Sequence, residues 1–287
     1  MAVVGKRGDC QNLNVKGLRK IASSRKALAI PVTYLILFAS LIAIISVTYG
    51  FAVTRISAKG AMLRVSVAKQ NMQALDEAIR TVAWSDGSSK IVYMEDCGGA
   101  FQMQPKAKSL VINLTDGQAF SRVVFNGSVG EALYMFEGLA ESQEGTYVRG
   151  DSRTIISQSA FTVTQLYFER DGNAQQLVLC YRPLATVLAA GTSNGKPLNI
   201  IRVYIISLAS SQTLSLYGSF NLKVSALNTT STVELFEFNS SVSSLALEAL
   251  SEGAKTTVWL PMESTAEGAF VSLEIVVCNI QIRRVNA

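Results

Sequence analysis

The residue types that most often carry chemistry in proteins are scarce or poorly spaced in this chain. Histidine, the commonest general base and metal ligand, is absent. Acid pairs such as Glu95 with Asp96 and Glu137 with Glu141 do not have the spacing of a calcium-binding EF-hand loop. We interpret both pairs as solvated loop residues. The sequence therefore predicts no catalytic residue, no metal site and no cofactor, and it favours a protein that is not an enzyme.

A glycine-rich stretch at residues 191 to 197, GTSNGKP, superficially resembles a phosphate-binding loop. Its glycine spacing is one residue short of that motif, and Pro197 stands where a serine or threonine hydroxyl would contact magnesium. The central Asn194-Gly195 pair is instead a strong signal for a two-residue hairpin. The stretch therefore predicts a tight turn between two strands.

Three of the four cysteines, Cys97, Cys180 and Cys278, lie far apart in the C-terminal part of the chain, and none forms a CxxC motif. In an oxidising compartment two of these three would form one disulfide, but their spacing does not select the pair. The alternative is that they are small buried thiols. Both interpretations stay open at the level of sequence.

Four sequons for N-glycosylation occur in the same part of the chain, at Asn113, Asn126, Asn228 and Asn239. Their placement is consistent with a glycoprotein exposed at the cell surface. Because the chain is rich in serine and threonine, several sequons are expected by chance. Glycosylation is therefore a hypothesis.

The elements that position these residues begin with an uncharged apolar segment, residues 27 to 54. About 20 apolar residues suffice to cross the hydrocarbon layer of a bilayer, whereas the apolar part of a secretory signal has only about 7–15. A buried core helix would usually be amphipathic, but this segment is apolar on all sides. It predicts a transmembrane helix.

The net positive charge of the chain is concentrated before this segment. Residues 1 to 26 carry seven lysines and arginines and one acid, Asp9, so the remainder is nearly neutral and nucleic-acid binding is not predicted. A basic flank predicts a cytoplasmic N-terminus and an extracellular C-terminal part. Four cations soon after the segment weaken this bias: Arg55, Lys59, Arg64 and Lys69.

Residues 55 to 84 become polar but keep a helical period. With Pro31 in its first turn, the predicted helix is continuous to about Trp84, where the turn formers SDGSS follow. Its apolar residues form a heptad stripe that packs either onto the following domain or onto the same helix of neighbouring subunits. The stripe includes Val65, Ala68, Met72, Leu75, Ile79 and Val82.

Beyond residue 90 the hydrophobic period changes to two, and short runs rich in valine, isoleucine, tyrosine and phenylalanine alternate with turns. Residues 171 to 173 (DGN) and Asn194-Gly195 predict two antiparallel hairpins. Residues 271 to 285 predict a long terminal strand, and a short helix is expected near residues 242 to 250. Many strands without alternating helices favour a sandwich or barrel-like β domain.

We therefore predict an α+β protein, in which a long N-terminal transmembrane and amphipathic helix precedes a mostly antiparallel, β-sandwich-like head. The expected division is a basic cytoplasmic tail at residues 1 to 26 and a transmembrane helix at 27 to 54. An amphipathic helical extension follows at 55 to 84, and an extracellular β-rich domain at 85 to 287.

The segment from Arg25 to Val32, RKALAIPV, followed by the uncharged helix, resembles the class III signal peptide of archaeal type IV pilin-like and archaellin-like proteins. In that family a membrane aspartyl peptidase removes a basic leader, the helix packs in a filament core and a β-rich head forms the outside. The resemblance implies cleavage after Lys26 or Ala27, the second giving a mature chain that begins at Leu28. It also implies that the heptad stripe continues the helix by which subunits contact one another.

Two functions follow as expectations. The first is a pilin-like structural subunit, major or accessory, of an archaeal cell-surface filament or assembly, which forms homo- or hetero-oligomers through its N-terminal helix and is processed by a prepilin-type peptidase. The second is a single-pass membrane protein whose ectodomain acts as an adhesin, ligand-binding or sensor module. Both place the chain in the cell membrane with its C-terminal domain outside.

Overall fold

The computed structural model describes residues 15–136, 144–157, 161–172 and 174–285, with side chains from residue 30 onward. The chain divides into two compact units, Met1–Gly60 and Ala61–Ala287. A single helix, α1 (Val15–Val82), contributes to both units. All the described strands belong to the second unit, so the helix that sequence patterns divide at residue 54 is divided structurally at residue 60.

In the first unit α1 is apolar, and its described side chains are exposed. Phe38 is 65% exposed and Val47 is 73% exposed, although both would be expected in a protein core. Within the described residues, α1 is long and apolar enough to span a membrane. The predicted long apolar N-terminal helix is therefore confirmed.

The start of α1 differs from the expectation. The helix begins at Val15, so Pro31 lies inside it and not in its first turn. Residues 15 to 30 are rich in alanine, leucine, lysine and arginine, which favour helix in the absence of any packing. Because Pro31 has no N–H, the carbonyl of residue 27 lacks its usual helical donor.

In the second unit the C-terminal part of α1 is amphipathic and packs against strands. Fifteen strands follow it among the described residues: β1 (Ser89–Met94), β2 (Ala100–Gln104), β3 (Ser109–Thr115), β4 (Ser121–Ser128), β5 (Glu131–Phe136), β6 (Tyr147–Arg149), β7 (Thr164–Asp171), β8 (Ala174–Tyr181), β9 (Leu184–Ser193), β10 (Lys196–Ser207), β11 (Leu214–Tyr217), β12 (Phe220–Phe238), β13 (Ser244–Ser251), β14 (Ala254–Pro261) and β15 (Ala269–Val285).

These strands form three sheets. The five-stranded sheet has the order β1-β12-β15-β10-β9, the six-stranded sheet β11-β2-β5-β8-β7-β6, and the four-stranded sheet β14-β13-β3-β4. All the pairs are antiparallel except β10 with β15, which run parallel from Leu198 beside Phe270 to Ser207 beside Asn279. The predicted α+β class with a mostly antiparallel β domain is therefore confirmed.

Two hydrophobic cores hold the second unit together. The first unites α1 with the six-stranded sheet and with β1, the beginning of β12 and the end of β15. The second unites the four-stranded sheet with β9, β10 and the beginning of β15. The long strand β15 therefore contributes to both cores, with Leu273 in the second and Ile280 in the first.

Both predicted hairpins are present. Strands β7 and β8 pair from Thr164 beside Tyr181 to Asp171 beside Ala174, and β9 and β10 turn at Asn194-Gly195. Asn194 and Gly195 have φ angles of 50° and 80°, as a two-residue hairpin of this kind requires. The glycine-rich stretch is therefore a turn and not a phosphate loop.

The helix predicted near residues 242 to 250 is wrong, because this segment is strand β13. Its composition, SLALEALS, favours helix, but Leu245, Leu247 and Ala249 alternate onto the buried face of the sheet. Pairing with β3 on one side and β14 on the other stabilises the strand conformation, which the local sequence alone does not favour.

The predicted end of the helix is correct to within two residues. Helix α1 ends at Val82, and Trp84 adopts the left-handed conformation (φ 69°) that more often falls to glycine at this position. The backbone N–H of Trp84 donates to the Cys278 Sγ at 3.4 Å, and its ring packs edge-on against Tyr204. These contacts with the five-stranded sheet hold a bulky residue in an uncommon conformation.

Substitution of Met72 by alanine tests the burial of the stripe. Met72 is completely buried, so we expect Met72→Ala to lower the free energy of unfolding by about 2–5 kcal/mol. Met62→Ala is the matched control because it makes the same change in the same helix at a side chain that is 63% exposed, with an expected effect within about 0.5 kcal/mol. Urea unfolding of the detergent-solubilised chain measures both, and equal effects would contradict this packing.

Candidate functional site

The leader residues singled out in the sequence, Lys26, Ala27 and Leu28, lie within the backbone of α1, and their side chains are outside the described residues. The acid pair Glu137 and Glu141 is also outside them. Glu95 and Asp96 are exposed in the turn after β1, as expected of solvated loop residues.

The heptad stripe packs onto the chain's own domain. All six predicted contact residues are buried in the first core, with exposures of 8% for Val65 and 0–2% for Ala68, Met72, Leu75, Ile79 and Val82. Of the two alternatives for the stripe, packing onto the following domain is therefore the one observed. The implied role of this stripe in subunit contacts is not compatible with its burial.

The three C-terminal cysteines are free thiols, so of the two interpretations left open by the sequence, buried thiols are the one observed. Cys97 follows β1, Cys180 lies in β8 and Cys278 lies in β15, and all three are buried. Burial raises the pKa of each thiol, that of Cys180 to about 12. The thiols remain protonated near neutral pH and are therefore weak nucleophiles.

The four sequon asparagines differ in their surroundings. Asn126 is exposed, whereas the half-buried Asn113 donates from its Nδ2 to the Ser121 hydroxyl at 2.8 Å. The exposed Asn228 accepts a hydrogen bond from Asn279, and the exposed Asn239 accepts one from Lys196. Three of the four side chains are therefore accessible at the surface of the second unit.

A buried carboxylate that joins the helix to the six-stranded sheet was not predicted from the sequence. Asp76, on α1, is completely buried. Its carboxylate accepts hydrogen bonds from Arg149 Nη1 at 2.7 Å, from the Thr164 hydroxyl at 2.7 Å and from the Tyr181 hydroxyl at 2.9 Å. These donors lie on β6, β7 and β8, so one side chain joins the helix to three neighbouring strands.

A cavity of about 210 Å³ is the best-formed candidate site. It lies between strands β7 and β8 of the six-stranded sheet and the turn that joins β13 to β14, and its walls mix aromatic and charged side chains. Tyr147 and Tyr167 pack together on one wall with their ring centres 5.2 Å apart. The volume suits a molecule smaller than a typical drug-sized ligand.

Lys108 is the charged centre of this cavity. Its side chain is 12% exposed, and its Nζ donates to the Tyr167 hydroxyl at 2.8 Å and to the Glu252 carboxylate. Burial alone would lower the pKa of Lys108, but ionisation of Cys180 and Tyr167 and the hydrogen bond to Glu252 raise it above its ordinary value. The amine therefore stays protonated and cannot act as a nucleophile at neutral pH.

Glu131 is the second carboxylate beside Lys108, at 4.0 Å from the Nζ. Burial raises the pKa of Glu131 to about 7, although the charge of Lys108 opposes this shift. Glu252 and Glu169 add to it by repulsion between like charges. One of the carboxyl groups near this lysine therefore titrates near neutral pH.

Arg182 also lines the cavity, and its side chain is 1% exposed. Its guanidinium group contacts the Asp151 carboxylate and donates to the carbonyl of Thr162 at 2.9 Å and of Arg153 at 3.1 Å. Hydrogen bonds from Arg153, and then from Arg182, lower the pKa of Asp151. The charges of Arg182 and Asp151 are therefore already paired with each other.

This arrangement suits binding more than catalysis. The lysine and arginine that line the cavity are paired with carboxylates, and its thiol, Cys180, is protonated. Within the described ranges no three histidine, cysteine or acidic side chains come together as a metal site. The groups left to meet a ligand are the two tyrosine rings and polar groups such as the Ser152 hydroxyl, which suit a small neutral polar molecule.

Only one signal for this cavity was present in the sequence. Glu252-Gly253 is a hairpin dipeptide, and its φ angles of 49° and 83° place Glu252 at the tip of the β13–β14 turn. Lys108, its partner, is 144 residues earlier in the chain. No local pattern indicates a pair so widely separated.

Substitution of Asp76 by asparagine tests the buried hydrogen-bond cluster. We expect Asp76→Asn to lower the free energy of unfolding by about 3 kcal/mol, because it removes the charge that pairs with Arg149 and sets an amide N–H against a donor. Glu77→Gln, at a neighbouring side chain that is 77% exposed, is the control. Urea unfolding measures both chains, and an effect of Asp76→Asn below 1 kcal/mol would argue against the cluster.

Substitution of Glu131 by glutamine tests the carboxyl group beside Lys108. Because its pKa is raised to about 7 on folding, its stabilising contribution is complete below its unfolded pKa of about 4.5 and is lost as the pH rises through 7. We expect the wild-type chain to lose up to about 3 kcal/mol relative to Glu131→Gln between pH 4.5 and 8. Denaturant unfolding across this range measures the difference, with the exposed Glu267→Gln as control.

The chain was compared with known proteins to ask whether this fold and cavity occur elsewhere. No family model, no curated protein and no solved structure matches it. Its function is therefore argued from its own residues.

Proposed function

We propose that this chain is a membrane-anchored structural subunit of a cell surface, of the pilin-like kind. Its N-terminal apolar helix lies in the bilayer with the basic tail in the cytoplasm, and its β-rich domain, layered in the manner of a sandwich, is displayed outside. Processing by a prepilin-type peptidase would release the helix to assemble with other subunits in a filament or other surface structure.

One observation carries this proposal: the two parts of α1 have opposite surroundings. In the first unit its leucine, isoleucine, valine and phenylalanine side chains are mostly more than half exposed, whereas the stripe in the second unit is buried. Exposed apolar surface of this extent is unfavourable in water. Lipid, or the same helix in other subunits, would cover it.

The surroundings of the stripe limit how such subunits could associate. Because residues such as Met72 and Ile79 are buried in their own domain, they have no surface to offer a neighbour. Contacts between helices would fall on the exposed apolar residues before Gly60. Small side chains there, such as Ala39 and Ser40, favour close approach of helices in a membrane.

A second candidate function is an anchored ectodomain that binds a small molecule, and the cavity beside Lys108 favours it. Two tyrosine rings and uncharged polar groups line a space of about 210 Å³, which suits a neutral polyhydroxylated compound. In this case the leader would remain on the protein, because a permanent anchor needs no processing.

The N-terminus of the mature protein distinguishes these candidates. We expect sequencing of the membrane-extracted protein from its native cells to begin at Ala27 or Leu28, and the chain carrying Arg25→Ala with Lys26→Ala to remain unprocessed because the basic leader is altered. A native protein that begins at Met1 or Ala2 would refute the pilin-like proposal and favour the anchored binding module.

A further inference from the structure

The β-rich unit has a distinct end at which the chain enters it, here called the base. The base consists of residues 61 to 64 of α1, the turn at residues 95 to 99, the turn at 217 to 219 and the end of β15 at Val285. A Cβ atom added at Gly98 would lie 3.1 Å from Arg64 Cδ, and the N–H of Asp96 donates to the Ser219 hydroxyl at 3.2 Å. Residues 61 to 64 and both turns are therefore neighbours.

Apolar side chains are exposed around this base. Met62 and Leu63 are 63% and 67% exposed on the helix, and Tyr93 and Tyr217 are 60% and 75% exposed at the ends of two strands. Tyr93 pairs with Asn221, which in turn pairs with Val285, and Tyr217 pairs with Ala100 just after the first turn. Four large apolar or aromatic side chains thus surround the point where the chain enters.

Cations accompany these side chains. Arg64, Arg283 and Arg284 are exposed, and the half-buried Lys223 pairs with Arg283 across β12 and β15. Two exposed acids, Glu95 and Asp96, lie in the first turn, so four cations less two acids leave an excess of two positive charges. Exposed tyrosines beside arginines are the composition of a membrane–water interface.

The chain itself limits the distance from this base to the apolar segment. Six residues lie between Thr54, the last residue of the uncharged run, and Ala61, so the distance along the helix is seven steps of 1.5 Å, or about 10 Å. The headgroup layer on each side of a bilayer is roughly 5–8 Å thick. The tyrosine and arginine side chains of the base are long enough to cover the few ångströms by which the helical distance exceeds this layer.

We propose that the base rests on the headgroup layer of the bilayer that holds the apolar segment, with Tyr93 and Tyr217 among the headgroups and the arginines on lipid phosphates. This inference rests on the proposed membrane anchoring and goes beyond it, because an anchor alone requires no contact between domain and lipid. Arginine binds phosphate through two parallel hydrogen bonds, so anionic lipids strengthen the contact.

A protein partner fits this surface less well than lipid. Hot spots of protein interfaces are clustered side chains in well-packed pockets, whereas the exposed apolar groups here come from the helix and from the ends of two strands and are accompanied by arginines. A surface that carries both apolar and charged side chains matches a headgroup layer, in which apolar and charged groups also lie side by side.

Fluorescence quenching by a lipid with a nitroxide on its headgroup tests the contact. The probe is the full chain with Tyr217→Trp, Trp84→Phe and Trp259→Phe, reconstituted in phosphatidylcholine vesicles that contain the labelled lipid. We expect its fluorescence to be largely lost. The control retains Trp259 and carries only Trp84→Phe, because Trp259 lies on β14, in the four-stranded sheet, and no strand of that sheet belongs to the base. Tyr93→Trp in the same background is a second probe.

A separate comparison tests how the arginine charges contribute to the contact with lipid. We expect phosphatidylglycerol to increase the quenching at low salt, and Arg64→Gln with Arg283→Gln and Arg284→Gln to abolish that increase. The control removes the same number of exposed cations outside the base, by Arg122→Gln with Arg170→Gln and Lys255→Gln. We expect this control to leave the increase caused by phosphatidylglycerol unchanged.

Two negative results have separate meanings. If the chain floats with the vesicles but the probes at residues 217 and 93 are quenched no more than Trp259, the base does not rest on lipid and this inference is overturned while membrane anchoring stands. If crosslinking then joins two copies through the base, a second copy covers it instead. If the chain does not float with the vesicles, the proposed anchoring fails, and this inference fails with it.

Discussion

The carboxylate of Asp76 sets the position of the helix in the β-rich unit. It lies on the face of α1 that also carries Met72 and Ile79, and it receives hydrogen bonds from three strands of one sheet. Apolar packing is tolerant of small rotations and shifts, whereas three hydrogen bonds to a buried charge are not. The apolar stripe therefore supplies most of the stabilisation, and Asp76 selects one register of helix against sheet.

The long pair β12 and β15 extends this constraint through the rest of the unit. The ladder runs from Asn221 beside Val285 to Phe238 beside Ala269, with one bulge between Ala226 and Asn228. The buried side chains of β12 up to Ala226 and of β15 from Cys278 onward belong to the first core, whereas those of β15 up to Ile275 belong to the second. Because a bulge bends and twists its strand, one pair of strands can serve both cores.

Local signals predicted local structure, and the rest depended on distant residues. The Asn194-Gly195 turn and the end of α1 near Trp84 follow from a few adjacent residues, and both predictions are confirmed. The leucines and alanines of strand β13 suit a helix as well as a strand, and only pairing with β3 and β14 decides between the two. The Lys108–Glu252 pair joins residues 144 positions apart, so it could not be predicted from sequence spacing.

These constraints decide which surfaces are left for function. Rotating α1 to present its stripe to a neighbour would break the three hydrogen bonds of Asp76 and expose side chains such as Leu75. The cost would be several kcal/mol, comparable with the whole stability of many domains. Any assembly that keeps the domain folded must therefore use surfaces other than the stripe, such as the apolar residues before Gly60. The same helix can pack in its own domain and also serve as an anchor, because the buried stripe lies after Gly60 and the exposed apolar residues lie before it.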